Sequence, residues 1–462
     1  MLFNSWPYVL FLILALALYW RIHRQVLREY LLLVAGYVFY MAWFPPYAIL
    51  LAALTVFGYG VGAAMGRYQQ YRRPLLVTGI AVPLLVLVHY KYWGLILQSL
   101  TGVAAWSGLS VSFAAERIIL PLGISFFTFE LICYVVDLYR GTYAPVREFH
   151  RFALFMAFFP KLIAGPITRP HEFFPQLGTC RVFDRALFLQ GLHLFITGLF
   201  LKVGVADVVS PYVDQTFGHP GGVGFADAWV ATYAFAIQIF CDFAGYTAMA
   251  RGSALLFGIH LPDNFDAPYF ASNLSEFWRR WHMSLTRWLR DYLYIPLGGS
   301  RGTILRTCAN LFVTMMLAGL WHGAQWTFVA WGMFLGLCLV LHKLWQRLDP
   351  FPVPAPIGAL LTFHVVCLGW VFFRAASLAD AVALLTSMIN PSAGGASLTL
   401  DGRHVLVLTV LFLAGHLLIR QAKRIAWPPS AVLWGRSAFN ALVLVILCSA
   451  SASSQKFIYF QF

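Results

Sequence analysis

Charge is the scarcest feature of this 462-residue sequence: 11% of the residues are Asp, Glu, Lys or Arg, against roughly 25% in ordinary soluble domains. Hydrophobic residues make up 60%. A soluble fold of this length cannot cover that much apolar surface with so little charge, so the surplus must face lipid. No long polar gap interrupts the apolar segments between Leu2 and Cys448, and there is neither an internal repeat nor a low-complexity tract. The chain therefore reads as one membrane domain over 1–462, not as the roughly three soluble domains its length alone suggests. The seven cysteines are odd in number and form no C-x-x-C. Cys133, Cys241, Cys338, Cys367 and Cys448 lie in apolar runs, where cysteine behaves as a small buried hydrophobe, which excludes a disulfide framework. H-E-x-x-H is absent, His171-Glu172 lacks a second histidine, and no metal site is expected. Acids are the scarcer charge, 18 against 32 Lys and Arg, giving +14. That excess suits the positive-inside bias and attraction to anionic lipids, or attraction for an anionic cofactor such as coenzyme A. No nucleic-acid partner is expected.

What is present is a succession of apolar runs near the ~20 residues that span a bilayer core. They lie at 2–20, 30–43, 47–66, 75–97, 118–138, 187–210, 228–256, 324–342, 357–373, 404–420 and 437–453, with shorter pieces at 149–166 and 308–321. This pattern predicts an all-α polytopic membrane protein with eleven or twelve crossings. The first run lacks a basic stretch before it and a small-residue cleavage site after it, and reads as an uncleaved transmembrane helix. Arg21, Arg24 and Arg28 precede the second run, Arg67, Arg72 and Arg73 follow the third, and Arg140, Arg147 and Arg151 follow the fifth. The turns at 43–47 and 98–116 and the loop at 211–227 carry no Lys or Arg. The alternation places the amino terminus outside and the basic loops in the cytoplasm. Residues 390–403 read as a loop.

Two segments depart from this pattern. Residues 155–170 are apolar but broken by Pro160, Lys161, Gly165 and Pro166, which predicts a re-entrant segment whose backbone is satisfied by protein or water, or else an amphipathic loop. Residues 263–306 are aromatic and basic together. Phe277, Trp281, Leu285, Trp288 and Tyr292 recur at helical spacing, with Arg279, Arg280, Arg287 and Arg290 largely off that stripe. This predicts an interfacial helix with its apolar face in the membrane and its arginines near phosphates, with Glu276 and Arg280 paired at i,i+4.

Ionisable side chains inside apolar runs are costly and are functional suspects. His193, His364 and Lys202 read as helix-polar contacts or snorkelling groups, and Glu130 and Asp242 as partners of an arginine inside the bundle. His322 stands apart. It lies in Gly319-Leu320-Trp321-His322-Gly323-Ala324, at the end of a 14-residue arm (308–321) that covers only about 21 Å of a ~30 Å core. The flanking glycines allow close approach of backbone or substrate. Imidazole is the side chain whose pKa lies nearest working pH, so a histidine held there suits a general base. His282, after Trp278 and Arg279, is a second candidate, or an interfacial histidine held by aromatic neighbours.

The run Glu276-Phe277-Trp278-Arg279-Arg280-Trp281-His282, the following Trp288-Leu289-Arg290-Asp291-Tyr292-Leu293-Tyr294, and Asn310-Leu311 leading into Gly319-Leu320-Trp321-His322-Gly323 resemble the signature of membrane-bound O-acyltransferases. The branch of bacterial alginate O-acetylases and their cellulose-acetylating relatives is the nearest in pattern. Pro121-Leu122-Gly123-Ile124-Ser125-Phe126-Phe127, Leu162-Ile163-Ala164-Gly165-Pro166, Asp242-Phe243-Ala244-Gly245-Tyr246 and the terminal Phe457-Ile458-Tyr459-Phe460-Gln461-Phe462 agree with it. The resemblance covers nearly the whole chain, with its core motifs over 118–346. Ala244 departs from the serine that relatives commonly carry there.

The resemblance implies a funnel-shaped helical core, a catalytic histidine at His322 and a second functional histidine at His282. It implies cytoplasmic acetyl-CoA as donor substrate, with no tightly bound cofactor, in the bacterial inner membrane. Trp278, Arg279, Arg280, Trp281, Trp321, Asn310 and Asp242 become candidates for binding substrate, Asn310 as an oxyanion donor. An exported polysaccharide is the implied final acceptor, reached through a periplasmic transferase of serine-hydrolase type alongside synthesis and export machinery. A same-fold transferase taking D-alanine from a loaded carrier is one alternative. A transporter or export-complex subunit is another.

Overall fold

The computed structural model describes residues 1–109, 118–179, 181–348, 351–392, 398–422, 425 and 428–449. The terminal motif at 457–462 lies outside them. Among the described residues every regular element is helical. Eight helices are long and apolar enough to cross a membrane: Tyr47–Arg67, Gln69–Trp106, Arg185–Gly218, Phe225–Leu256, Ile304–His322, Trp326–Leu348, Ala355–Arg374 and Leu400–Ala422. The expected runs at 2–20, 30–43 and 118–138 form the shorter helices Trp6–Arg21, Gln25–Met41 and Ile124–Arg140. Several loops are shorter than the charge pattern suggests. Helix continues through Trp106 and, past Pro211, through Gly218. The helix Leu378–Ile389, begun by Ser377 accepting from the Asp380 amide at 3.1 Å, falls within no expected run.

The chain forms two compact units interleaved in sequence. The first comprises Met1–Phe195 and Met249–Pro262. Its helix Ile124–Arg140 is buried on nearly every side. It starts at Gly123, whose left-handed backbone (φ 73°) brings it so close to the Leu162 carbonyl that an added Cβ would lie 2.3 Å from the oxygen. The predicted re-entrant stretch is two short helices, Phe149–Ala157 and Phe159–Leu162, running into irregular chain, with residues 152–168 buried. That burial rules out an amphipathic loop. Glu130 pairs with Lys161 and accepts from the Thr168 amide at 3.1 Å. The expected arginine partner is thus a lysine, supplied by the broken segment itself.

The second unit comprises Ile196–Ala248 and Asp263–Phe462. Its centre is a helical hairpin, Ile304–His322 and Trp326–Leu348, joined by three residues. Small residues let the two backbones close: a Cβ on Gly319 would sit 2.2 Å from the Phe328 carbonyl oxygen, and one on Gly332 would sit 2.4 Å from that of Met315. A buried ion cluster holds the Phe225–Leu256 helix against the preceding one. Lys202 Nζ lies 2.6 Å from Asp242 Oδ1 and 2.7 Å from Asp207 Oδ1. The π-turn at Phe200–Ala206 brings Lys202 and Asp207 to the same point. Asp242 was expected to face an arginine; its partner is Lys202, and that ion pair gives it a structural position.

Candidate functional site

His322 is the last residue of the Ile304–His322 helix, 19 residues and about 28 Å long. The 14-residue arm read from the sequence is therefore too short. Thr303 accepts from the Arg306 amide and starts the helix four residues earlier than the apolar run does. His322 is 5% exposed. What keeps it from solvent is the surrounding protein, not a short helix.

His282 occupies a different kind of position. The helices Leu274–Arg280 and Met283–Leu289 break at Trp281-His282, where His282 adopts a left-handed backbone, φ 42° and ψ 54°. That conformation costs a non-glycine residue about 1–3 kcal/mol and persists only where its surroundings enforce it. Asn264 enforces it. Its carbonyl accepts from the Met283 amide at 2.9 Å, and its side-chain oxygen accepts from the Ser284 amide at 3.0 Å and the Ser284 hydroxyl at 2.9 Å. Arg280, just before the break, is tied by its carbonyl to the Asp266 amide at 2.9 Å. His282 itself is 1% exposed, and neither ring nitrogen has a hydrogen-bond partner among the described residues. Burial drives its pKa down to about 3, so the imidazole is neutral.

The two histidines meet. Their ring centroids are 6.2 Å apart, and Trp321 lies 5.0 Å from His322 and 5.8 Å from His282. Phe243 meets His282 edge-on at 4.6 Å. Trp331 and Phe373 stand 5.1 and 5.3 Å from His322, and Trp370 stacks on Trp331 at 5.8 Å. The imidazoles thus sit in a water-poor aromatic enclosure.

A cavity of about 220 Å³ leads to His322. Leu311, Met315, Ala318 and His322 mark one face of the hairpin's first helix along it, a run of about 16 Å. Trp278 and Trp331 line it beside His322, while Arg290, 58% exposed, and Tyr294 also line it. The cavity therefore joins an exposed guanidinium to a buried imidazole through a mostly apolar passage. A neutral imidazole at such a place can accept a proton from a hydroxyl, and a guanidinium can hold a phosphate.

The other candidates fall out unevenly. Arg279 is exposed, Arg280 is engaged by Glu276 at 2.5 Å, and Arg290 is held by Asp291 through contacts of 2.6 and 3.1 Å. Trp281, 1% exposed, packs 5.0 Å from Trp370 and backs the enclosure without lining the cavity. Phe277, Leu285 and Trp288 are buried with it. The stripe expected to lie in lipid instead faces protein, because the break at His282 folds two short helices back onto the core. Asn310 donates to the Gly299 carbonyl at 3.0 Å and lies twelve residues, about 18 Å of helical rise, from His322. It closes the glycine loop, and that placement gives it no reach to an oxyanion at His322. Sequence reasoning missed Asn264, Trp331 and Phe373. A tryptophan or phenylalanine in an apolar run carries no mark that separates an enclosure from a lipid-facing side chain. Asn264 shows only as a polar residue two positions before a second acid, Asp266.

The model of the MBOAT, membrane-bound O-acyltransferase family, matches residues 146–378, a stretch that draws on both units and contains both histidines. The chain is 40% identical over 396 residues to a probable alginate O-acetylase AlgI of Azotobacter vinelandii, covering 84% of this chain and 78% of that protein. It is 36% identical to a probable alginate O-acetylase AlgI of Pseudomonas putida over the full length of both. It is also 36% identical to a peptidoglycan O-acetyltransferase of Helicobacter pylori, over 78% of this chain and 73% of that protein. The chain is a multi-pass membrane O-acyltransferase and belongs to the membrane-bound O-acyltransferase family.

Proposed function

We propose that this chain moves acetyl groups from cytoplasmic acetyl-CoA to an acceptor on the far side of the bacterial inner membrane, for O-acetylation of an exported polysaccharide of alginate or cellulose type. The observation that carries this reading is the passage from the exposed Arg290 to the buried His322. Arg290 and the exposed Arg279 meet the donor's phosphates, and the narrow arm bearing the thioester enters the cavity. An acceptor hydroxyl attacks the thioester carbonyl while a His322 ring nitrogen takes its proton. The new C–O bond forms, the C–S bond breaks, and the imidazolium returns the proton to the departing thiolate. A base of this kind contributes roughly 10²–10⁴-fold. His282, neutral and 6.2 Å away between ring centroids, orients the acyl group or the His322 ring. The names of the relatives, alginate and peptidoglycan O-acetylases, support a glycan as final acceptor. Residues 219–224, between two helices on the side read as external, leave little chain with which to grip a polymer, which favours relay through a periplasmic serine transferase. The whole chain, 1–462, acts in this reading as one membrane domain.

The test supplies membranes holding the chain with labelled acetyl-CoA or with a D-alanyl-loaded carrier, each with and without a periplasmic serine transferase. Acetyl transfer that rises when the transferase is present is the expected result. Transfer from the carrier alone would replace this reading with D-alanylation.

A further inference from the structure

We propose that a second cavity, which shares no lining residue with the passage to His322, binds one anionic phospholipid of the cytoplasmic leaflet. It measures about 390 Å³ and lies between the helices Arg185–Gly218, Phe225–Leu256, Leu400–Ala422 and Pro429–Ser449. Its lining is apolar apart from Thr197, Thr409 and His416. Gly415 leaves a gap in the wall that the Leu400–Ala422 helix presents, since an added Cβ there would meet nothing within 4 Å. Val208, Leu411 and Ile419, which also line the cavity, are exposed. Exposed apolar side chains on membrane-spanning helices face hydrocarbon, so the cavity opens toward lipid.

Length and charge select the occupant. Leu408, Leu411, Phe412, Gly415 and Ile419 mark one face of their helix along the cavity, and the rise from Leu408 to Ile419 is about 16 Å. One leaflet contributes half of the ~30 Å hydrocarbon core, about 15 Å. The run begins near the middle of the 23-residue helix and stops within its last turn. Asp401 and Arg403 cancel at the start of that helix, whereas Arg420 lies in its last turn and Lys423 and Arg424 follow in the sequence. That end is therefore cytoplasmic. His416 lines the cavity there, and Arg420 stands one helical turn beyond it. Phe270 joins the two: its ring stacks on His416 at 5.7 Å and lies 5.8 Å from the Arg420 guanidinium. Arg420 has no acid partner among the described residues. Its fork of donors matches a phosphate, and basic sites between transmembrane helices on the cytoplasmic side take anionic headgroups. A slot as long as one leaflet, ending at an unpaired guanidinium, matches an acyl chain joined to a phosphate. A free phosphate would use Arg420 alone, and an uncharged lipid would use the slot alone.

The experiment titrates the full chain, purified in detergent, with phosphatidylglycerol, phosphatidylcholine or inorganic phosphate, and counts bound molecules by native mass spectrometry. Wild type is compared with Arg420→Gln and Gly415→Leu. Gly415→Leu sends a side chain into the cavity from a position with open space around its Cβ, and it puts a good helix former in place of a helix-interior glycine, so the fold is kept. Wild type is expected to bind one phosphatidylglycerol saturably, about fivefold more tightly than phosphatidylcholine, the ratio that one basic residue near the membrane surface supplies. Arg420→Gln is expected to bring that ratio to about one while still taking up either lipid. Gly415→Leu is expected to lose at least about tenfold in affinity for both. Lipid uptake by wild type that rises without saturating would mean an ordinary lipid belt and overturns the proposal. So do a wild type indifferent to headgroup charge, folded variants that retain lipid as wild type does, and inorganic phosphate bound as tightly as phosphatidylglycerol.

Discussion

Replacing Asn264 tests whether the left-handed backbone at His282 is a working part of the site. Asn264→Leu keeps the side chain's branched shape but removes the oxygen that accepts from both the amide and the hydroxyl of Ser284. The Ser284 hydroxyl can rotate toward another acceptor; its amide cannot. A buried amide left without a partner costs roughly 1–3 kcal/mol. The strain at His282 is of similar size, about 1–3 kcal/mol, and in the variant only the Met283 amide bond to the Asn264 main-chain carbonyl is left to hold it. The variant therefore has an incentive to let His282 return to an ordinary backbone, which swings the imidazole out of its 6.2 Å relation to His322. The expected result is a stability loss of about 1–3 kcal/mol, measured by titration with a denaturing detergent, together with a fall in kcat and little change in KM, because the lining of the donor passage is untouched. A folded Asn264→Leu variant with wild-type kcat would refute the claim that this cradle positions His282.

Three further expectations follow from the same geometry. Lys202→Met leaves Asp207 and Asp242 as buried carboxylates without their cation and is expected to cost about 3–5 kcal/mol. The triple change with Asp207→Asn and Asp242→Asn should recover most of that loss in the same unfolding titration. Gly319→Val forces a Cβ to 2.2 Å from the Phe328 carbonyl and should destabilise by about 1–3 kcal/mol or more, whereas Gly415→Ala, inside the Leu400–Ala422 helix, meets nothing within 4 Å and should raise stability by about 0.5–1 kcal/mol. Burial lowers the His282 pKa to about 3, below the ordinary ~6.5. Between those values the unfolded chain binds a proton that the folded chain does not. The contribution of His282 is therefore fully present above about pH 6.5 and is lost as pH falls toward 3, and His282→Gln should flatten that acid limb in a pH series of unfolding midpoints.

The sequence marks His322 because it stands beside tryptophan in an apolar run, His282 because it follows an aromatic and basic stretch, and both because the ordered motifs around them belong to one family. It marks most crossings for the same reason: twenty apolar residues have few other fates. What it hides is whatever depends on non-local contact. Forty residues separate the two histidines, and their meeting requires both the hairpin turn at 323–325 and the backbone reversal at Trp281-His282. A stripe such as Phe277, Trp281, Leu285 and Trp288 has the spacing of a lipid-facing helix. Only the break at His282 turns it toward protein. Charge partners are hidden likewise. Glu130 and Asp242 each call for a cation, but an arginine and a lysine serve equally at that level, and Lys161 and Lys202 are chosen by a broken segment and a π-turn. Asn310 illustrates the reverse error. It sits in a family-like motif, yet its amide holds the Gly299 carbonyl and its distance along the helix keeps it from the reacting centre.

The most direct test of the account is transfer of labelled acetyl from acetyl-CoA in membranes holding wild type or His322→Ala at matched, folded levels, with the periplasmic transferase supplied. The account predicts product from wild type and a loss of roughly 10²–10⁴-fold in the variant, with the variant still displacing a fluorescent coenzyme A analogue as wild type does. A His322→Ala variant that transfers acetyl at the wild-type rate would contradict it.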